Sequence, residues 1–79
     1  MLPKRGEIWM WVRDNGEQGT LVLIGKKEKD CINYKILESK GENKEGETSY
    51  RGTAVWATWI EDGYIIKLED YKYAKTLYS

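Results

Sequence analysis

Trp9 and Trp11 stand two residues apart, and Trp56 and Trp59 three apart, in a chain whose other aromatic residues are all tyrosines. Indoles recognise and pack rather than react, and side chains at i and i+2 of a strand share one face. Residues 7–12 (EIWMWV) therefore place Trp9 and Trp11 on one face and Ile8, Met10 and Val12 on the other. The two indoles either form an outward landing surface for a partner, with Trp56 and Trp59 as a second pair, or fill a core and leave the aliphatic face for a second subunit or the C-terminal segment to cover. Lys26, Lys27 and Lys29 beside such rings are the elements of a stacking and phosphate-binding surface for single strands. The interspersed Glu28 and Asp30 dilute that surface and favour a solvated hairpin tip.

Groups able to transfer protons or bind metal are scarce. The chain has no histidine and one cysteine, Cys31, which removes zinc sets and histidine-based acid/base or nucleophile-activating arrangements. Cys31 reads as a small buried strand residue, because its neighbouring charge, Asp30, opposes thiolate formation. Glu61 and Asp62 are adjacent in a turn and point apart, so they make no paired-carboxylate site. The expectation is a protein with no catalytic residue, no metal and no cofactor.

The elements that hold these residues follow from size and pattern. At 79 residues the chain is one domain, in a size range that buries about 60% of the unfolded surface and leaves little room for both a core and a deep cleft. Thirteen basic and thirteen acidic residues cancel, so no global field favours nucleic acid or an acidic membrane. No apolar run reaches the roughly 20 residues of a membrane span, and the opening MLPKRGEIW lacks a signal-peptide core. A reducing, cytoplasmic setting is expected.

Alternation over residues 7–12, the Asp14-Asn15-Gly16 turn and the aliphatic run 20–25 (TLVLIG) predict a hairpin. Residues 31–38 continue the sheet, antiparallel to the second strand. Residues 39–49 (SKGENKEGETS) carry nothing large and apolar and predict an exposed, mobile loop. Residues 53–60 (TAVWATWI) and 64–68 (YIIKL) flank Glu61-Asp62-Gly63 and read as a second hairpin, and 69–79 as a short final element, strand-like or helical. Five short strands with no helix above two turns suggest an all-β fold, a small five-stranded antiparallel SH3-like barrel closed against exposed edges.

The stretches KRGEIWMW and GEQGTLVLI resemble the opening of the MazF/PemK toxin family over residues 4–24. That resemblance implies an SH3-like barrel and a homodimeric ribonuclease acting on single-stranded RNA through an arginine at the start of the second strand and a Thr or Ser further on. At that place this chain has only Thr20 between Gly19 and Leu21, where the family has Arg-Pro, so the family's phosphate-stabilising arginine has no counterpart there. Arg5, Arg13 and Arg51 are the arginines available to substitute. Two functions follow as expectations. The first is a non-enzymatic protein-interaction module, of the kind phages and mobile elements carry to bind and inhibit a host protein in the host cytoplasm, or a homodimer. It would use Trp9, Trp11, Trp56, Trp59, Lys26 and Lys27. The second is a MazF-like RNA-binding or RNA-cleaving barrel.

Overall fold

In the computed structural model, which describes residues 1–78, alternation becomes an antiparallel sheet wherever it was clean. The strands are β1 (Ile8–Val12), β2 (Gln18–Glu28), β3 (Cys31–Glu38), β4 (Thr48–Gly52) and β5 (Ile65–Lys67). They lie in the order β4-β3-β2-β1-β5. Helix α1 (Thr53–Glu61) joins β4 to β5, and α2 (Leu68–Tyr78) follows β5.

The first hairpin turns as its residues demand. Gly16 N–H donates to Arg13 O at 2.8 Å and Arg13 N–H to Glu17 O at 3.0 Å, while Asn15 Oδ1 accepts from Glu17 N–H at 3.0 Å. Just beyond, the β1–β2 register slips between Met10–Leu21 and Val12–Gln18. Gly19 lies in that bulge with its α-carbon so close to β1 that a β-carbon would run into the carbonyl oxygen of Trp11. Two further slips in β2–β3 bend the long second strand.

Cross-strand partners assign the faces. Trp9, Trp11, Val22, Ile24, Ile32, Tyr34, Ile36 and Ile65 share one face, which α1 covers with Trp56, Trp59 and Ile60 and the N-terminal segment with Leu2. The opposite face carries two rows, Ile66–Met10–Leu21 and Ile8–Leu23–Lys35–Thr48. Helix α2 packs on β1 and β5, and Met10, on this second face, has no exposed surface. Leu68, Tyr71 and Ala74, three apart, are the partly covered positions of α2.

Several expectations require correction. Residues 53–60 are helical: Trp56, Trp59 and Ile60 at i, i+3 and i+4 line one helix face, whereas no alternation sorts apolar from polar residues here. Glu61-Asp62-Gly63 ends that helix instead of turning a hairpin. Gly63 N–H donates to Ile60 O at 3.2 Å and Tyr64 N–H to Trp59 O at 2.9 Å, with Gly63 at φ 78°, which is a Schellman cap. The fourth strand is β4, which takes Thr48 and Ser49 out of the expected loop. The helices, nine and eleven residues long, both exceed two turns, so the fold is a strand-rich α+β arrangement. The sheet is open, with β4 and β5 as its two edges.

Candidate functional site

The tryptophans gather inside. Trp56 is fully buried and Trp9 nearly so, while Trp11 and Trp59 are half-buried against the core. Trp11 stacks on Trp56 with ring centres 6.4 Å apart and planes at 22°, and meets Tyr34 and Trp59 edge-on at 5.7 and 5.5 Å. Trp56 meets Tyr34 and Trp59 edge-on at 5.7 and 5.4 Å. The outward aromatic surface expected from Trp9, Trp11, Trp56 and Trp59 is therefore an internal cluster joining sheet to helix. The reason is the helical phase of 53–60, which turns Trp56 and Trp59 onto Trp11. The core alternative for Trp9 and Trp11 is the one realised.

Lys26 and Lys27 sit on the exposed end of β2, and Lys26 Nζ lies 4.0 Å from Glu28 Oε1. This is a solvated hairpin end rather than a stacking platform. Cys31 is a free, half-buried thiol at the start of β3.

Glu7 organises the other end of the buried face. Its Oε1 accepts from Lys4 N–H at 2.8 Å and from the Trp9 indole at 3.0 Å, and Lys67 Nζ lies 3.1 Å from its Oε2. Burial pushes the Glu7 pKa up, but those three donors outweigh it and hold the carboxyl below its ordinary value. The hydrogen bond and charge of Glu7 in turn raise Lys67. An open recess of about 480 Å³ beside them is lined by Ile8, Leu68 and Lys72 among others. The Glu7 carboxylate accepts three donors, which ties the N-terminal turn, β1 and β5 together.

Arg51, on the same face as Tyr34, borders a recess of about 200 Å³ with Ser49, Glu42 and Glu47. Its Nη1 donates to Ser49 Oγ at 3.3 Å and to Tyr50 O at 2.7 Å. Lys44 lines the same recess, so two cations and two carboxylates leave it no net positive charge for a phosphate, and Arg51 Nη1 already has two acceptors. Among the described residues no cluster of three or more His, Cys, Asp or Glu side chains could hold a metal ion, and no helix is long and apolar enough to cross a membrane.

Among the described residues, the surface left without a covering element is the β2–β3–β4 part of the second sheet face, with Ile8 of β1 at its border. Ile8, Leu37 and Tyr50 are 36, 38 and 64% exposed there, with Leu21 and Leu23 half-buried between them. A shallow groove of about 310 Å³ runs over Leu23, Gly25 and Asn33, flanked by Arg5 and Lys35 and by no carboxylate. The sequence left an apolar face to cover on either reading of Trp9 and Trp11, and α2 covers it only in part. The available signal was the count of apolar strand positions, which exceeds what one face of a small sheet can bury. Comparison with protein-family models, with curated proteins and with solved structures finds no match for this chain.

Proposed function

We propose that this chain is a non-enzymatic protein-interaction module that docks a partner on the uncovered face of β2–β3–β4. The observation that carries the reading is the exposure of Ile8 and Leu37 on the face of the half-buried Leu23, whose groove is flanked by Arg5 and Lys35 with no carboxylate in its lining. Exposed apolar strips with a charged rim mark partner surfaces, and this rim selects a partner whose apolar contact residues are flanked by Asp or Glu. A small accessory chain that occupies and inhibits a host protein, as phages and mobile elements carry, suits a domain of this size with no catalytic set.

The barrel reading belongs to the same proposal. With β1 between β2 and β5, and β2 long and bulged, the framework is that of an SH3-like barrel left open between β4 and β5. The toxin resemblance is then one of framework. Ribonuclease chemistry is disfavoured because Nη1 of Arg51 is engaged by its own strand and its recess, with Lys44, Glu42 and Glu47, has no surplus of positive charge.

The test is capture from a candidate host lysate by wild type beside Leu37→Glu and Lys35→Glu. A partner retained by wild type and lost from both variants, with unchanged amide infrared bands, supports the reading. Equal capture by all three, or retention on single-stranded RNA at low salt with no protein captured, refutes it.

A further inference from the structure

β4 is the long free edge of the sheet, and its hydrogen-bonding phase can be worked out. Ile36 N–H donates to Glu47 O at 2.9 Å at one end of the β3–β4 ladder, and Thr53 N–H to Asp30 O at 2.8 Å at the other. Between them the register runs without a slip from Lys35–Thr48 to Cys31–Gly52. Hydrogen-bonded and non-bonded pairs alternate in an antiparallel ladder, so Tyr34–Ser49 and Ile32–Arg51 are the bonded pairs. Thr48 and Tyr50 therefore turn both N–H and C=O to the free edge. Gly52 turns its N–H there, while its carbonyl, at the helix N-cap position, opens α1.

Most devices that blunt an edge are absent from β4, which has no proline, no lysine and no bulge. The opposite edge, β5, is three residues long and runs directly into α2. The one guard on β4 is Arg51, whose Nη1 lies 2.7 Å from the outward carbonyl of Tyr50.

We infer that β4 is a homodimerisation edge that Arg51 guards, with a second copy of this chain pairing antiparallel about Tyr50. The outward groups are symmetric about that residue, so each Tyr50 N–H donates to the other copy's Tyr50 carbonyl, and Gly52 N–H donates to the carbonyl of the partner's Thr48. The strand is self-complementary in charge. Its single charged residue, Arg51, comes opposite the hydroxyl of the partner's Ser49, and no like charges face each other directly. The two Tyr50 rings meet on the uncovered face, an aromatic cross-strand pair at a position now 64% exposed. Arg51 must leave the Tyr50 carbonyl before the strands can join, which weakens association without changing its geometry. The pairing does not depend on the partner-docking reading, since Leu37→Glu and Lys35→Glu leave the edge backbone untouched.

The experiment is molar mass against concentration for wild type, Arg51→Ala and Tyr50→Pro, with the exchange rate of the wild-type Tyr50 amide followed over the same range. Wild type should pass from monomer to dimer with slowing of the Tyr50 amide. Arg51→Ala should do so at about tenfold lower concentration, since each copy no longer gives up a hydrogen bond. Tyr50→Pro, which removes an N–H the ladder does not use, should stay monomeric with its amide infrared bands intact. Wild type and Arg51→Ala both monomeric to roughly 1 mM, a Tyr50→Pro dimer as tight as wild type, or a Tyr50 amide indifferent to concentration would each overturn the inference.

Discussion

The Trp9 indole donates to Glu7 Oε1 at 3.0 Å, so a core side chain is oriented by a carboxylate that also meets Lys67 and the backbone of Lys4. Glu7 thus fastens the N-terminal turn, β1 and β5 at one point. Its pKa is lowered in the fold, so its contribution is complete above the unperturbed glutamate value of about 4.3 and is lost as pH falls through the lower folded value. Lys67, raised in the fold, loses its contribution only as pH rises through its elevated value, on the alkaline side. Glu7→Gln keeps an oxygen for Lys4 and Trp9 but removes the charge. It should cost about 1 kcal/mol at neutral pH and flatten the loss of stability between neutral and acidic pH. Denaturant titrations of both proteins at neutral pH and below the glutamate pKa measure this, and equal acid sensitivity would contradict it.

Trp11 bridges sheet and helix through its stack on Trp56 and its edge contacts with Tyr34 and Trp59. Trp11→Ala should lower stability by about 3 kcal/mol, and the fully buried Trp56→Ala by about 5. A chain of this size has about 4 to 12 kcal/mol in all, so the second variant should be largely unfolded while the first melts early. Neither should alter binding other than through folding. A Trp11→Ala protein with wild-type melting temperature and lost partner binding would restore the contact reading.

Where one periodicity dominated, the fold was legible in the residues. Ile32, Tyr34 and Ile36 alternate and are buried in β3, and Asp14-Asn15-Gly16 turns the first hairpin. Residues 53–60 misled because Thr, Val, Trp and Ile favour strands by propensity, while the three-residue step from Trp56 to Trp59, a helical spacing, was the stronger signal. Asp62-Gly63 suits a hairpin turn and a helix cap alike, since both need positive φ at glycine. β4 was hidden because an edge strand buries little and shows no apolar alternation. The uncovered face follows from the core alternative: once α1 takes the indole side, the aliphatic side is left to α2, which packs mainly on β1 and β5.

The Schellman cap offers a clean measurement of the helix end. Gly63 has open space where a β-carbon would stand, so Gly63→Ala should cost about 1 kcal/mol from its φ of 78° alone. Gly19→Ala differs in kind, because its β-carbon collides with the Trp11 carbonyl and must displace the hairpin. It should cost about 1 to 3 kcal/mol and shift the amide resonances of β1 and β2. Thermal melts with amide spectra of the two variants test both, and a Gly19→Ala protein as stable as Gly63→Ala would argue against the bulge geometry.

The segment between β3 and β4 is exposed throughout residues 40–47, yet tied at its ends. Lys40 N–H donates to Thr20 Oγ1 at 3.2 Å, Ser39 N–H to Glu45 Oε1 at 3.2 Å, and Gly46 N–H to Ile36 O at 2.8 Å. Opening the middle therefore breaks no buried contact, whereas opening the ends disturbs Ile36 and the partly buried Thr20 bond. Trypsin under native conditions should cut first after Lys44, ahead of Lys40, and more slowly at the lysines of α2. The nicked chain should keep its sheet, since β3 and β4 stay paired through the register from Lys35–Thr48 to Cys31–Gly52. Mass spectrometry of early digests identifies the site, and the amide infrared band reports the sheet. A first cut in α2, or collapse of the band on nicking at Lys44, would show that the loop contributes to the fold more than its end contacts provide.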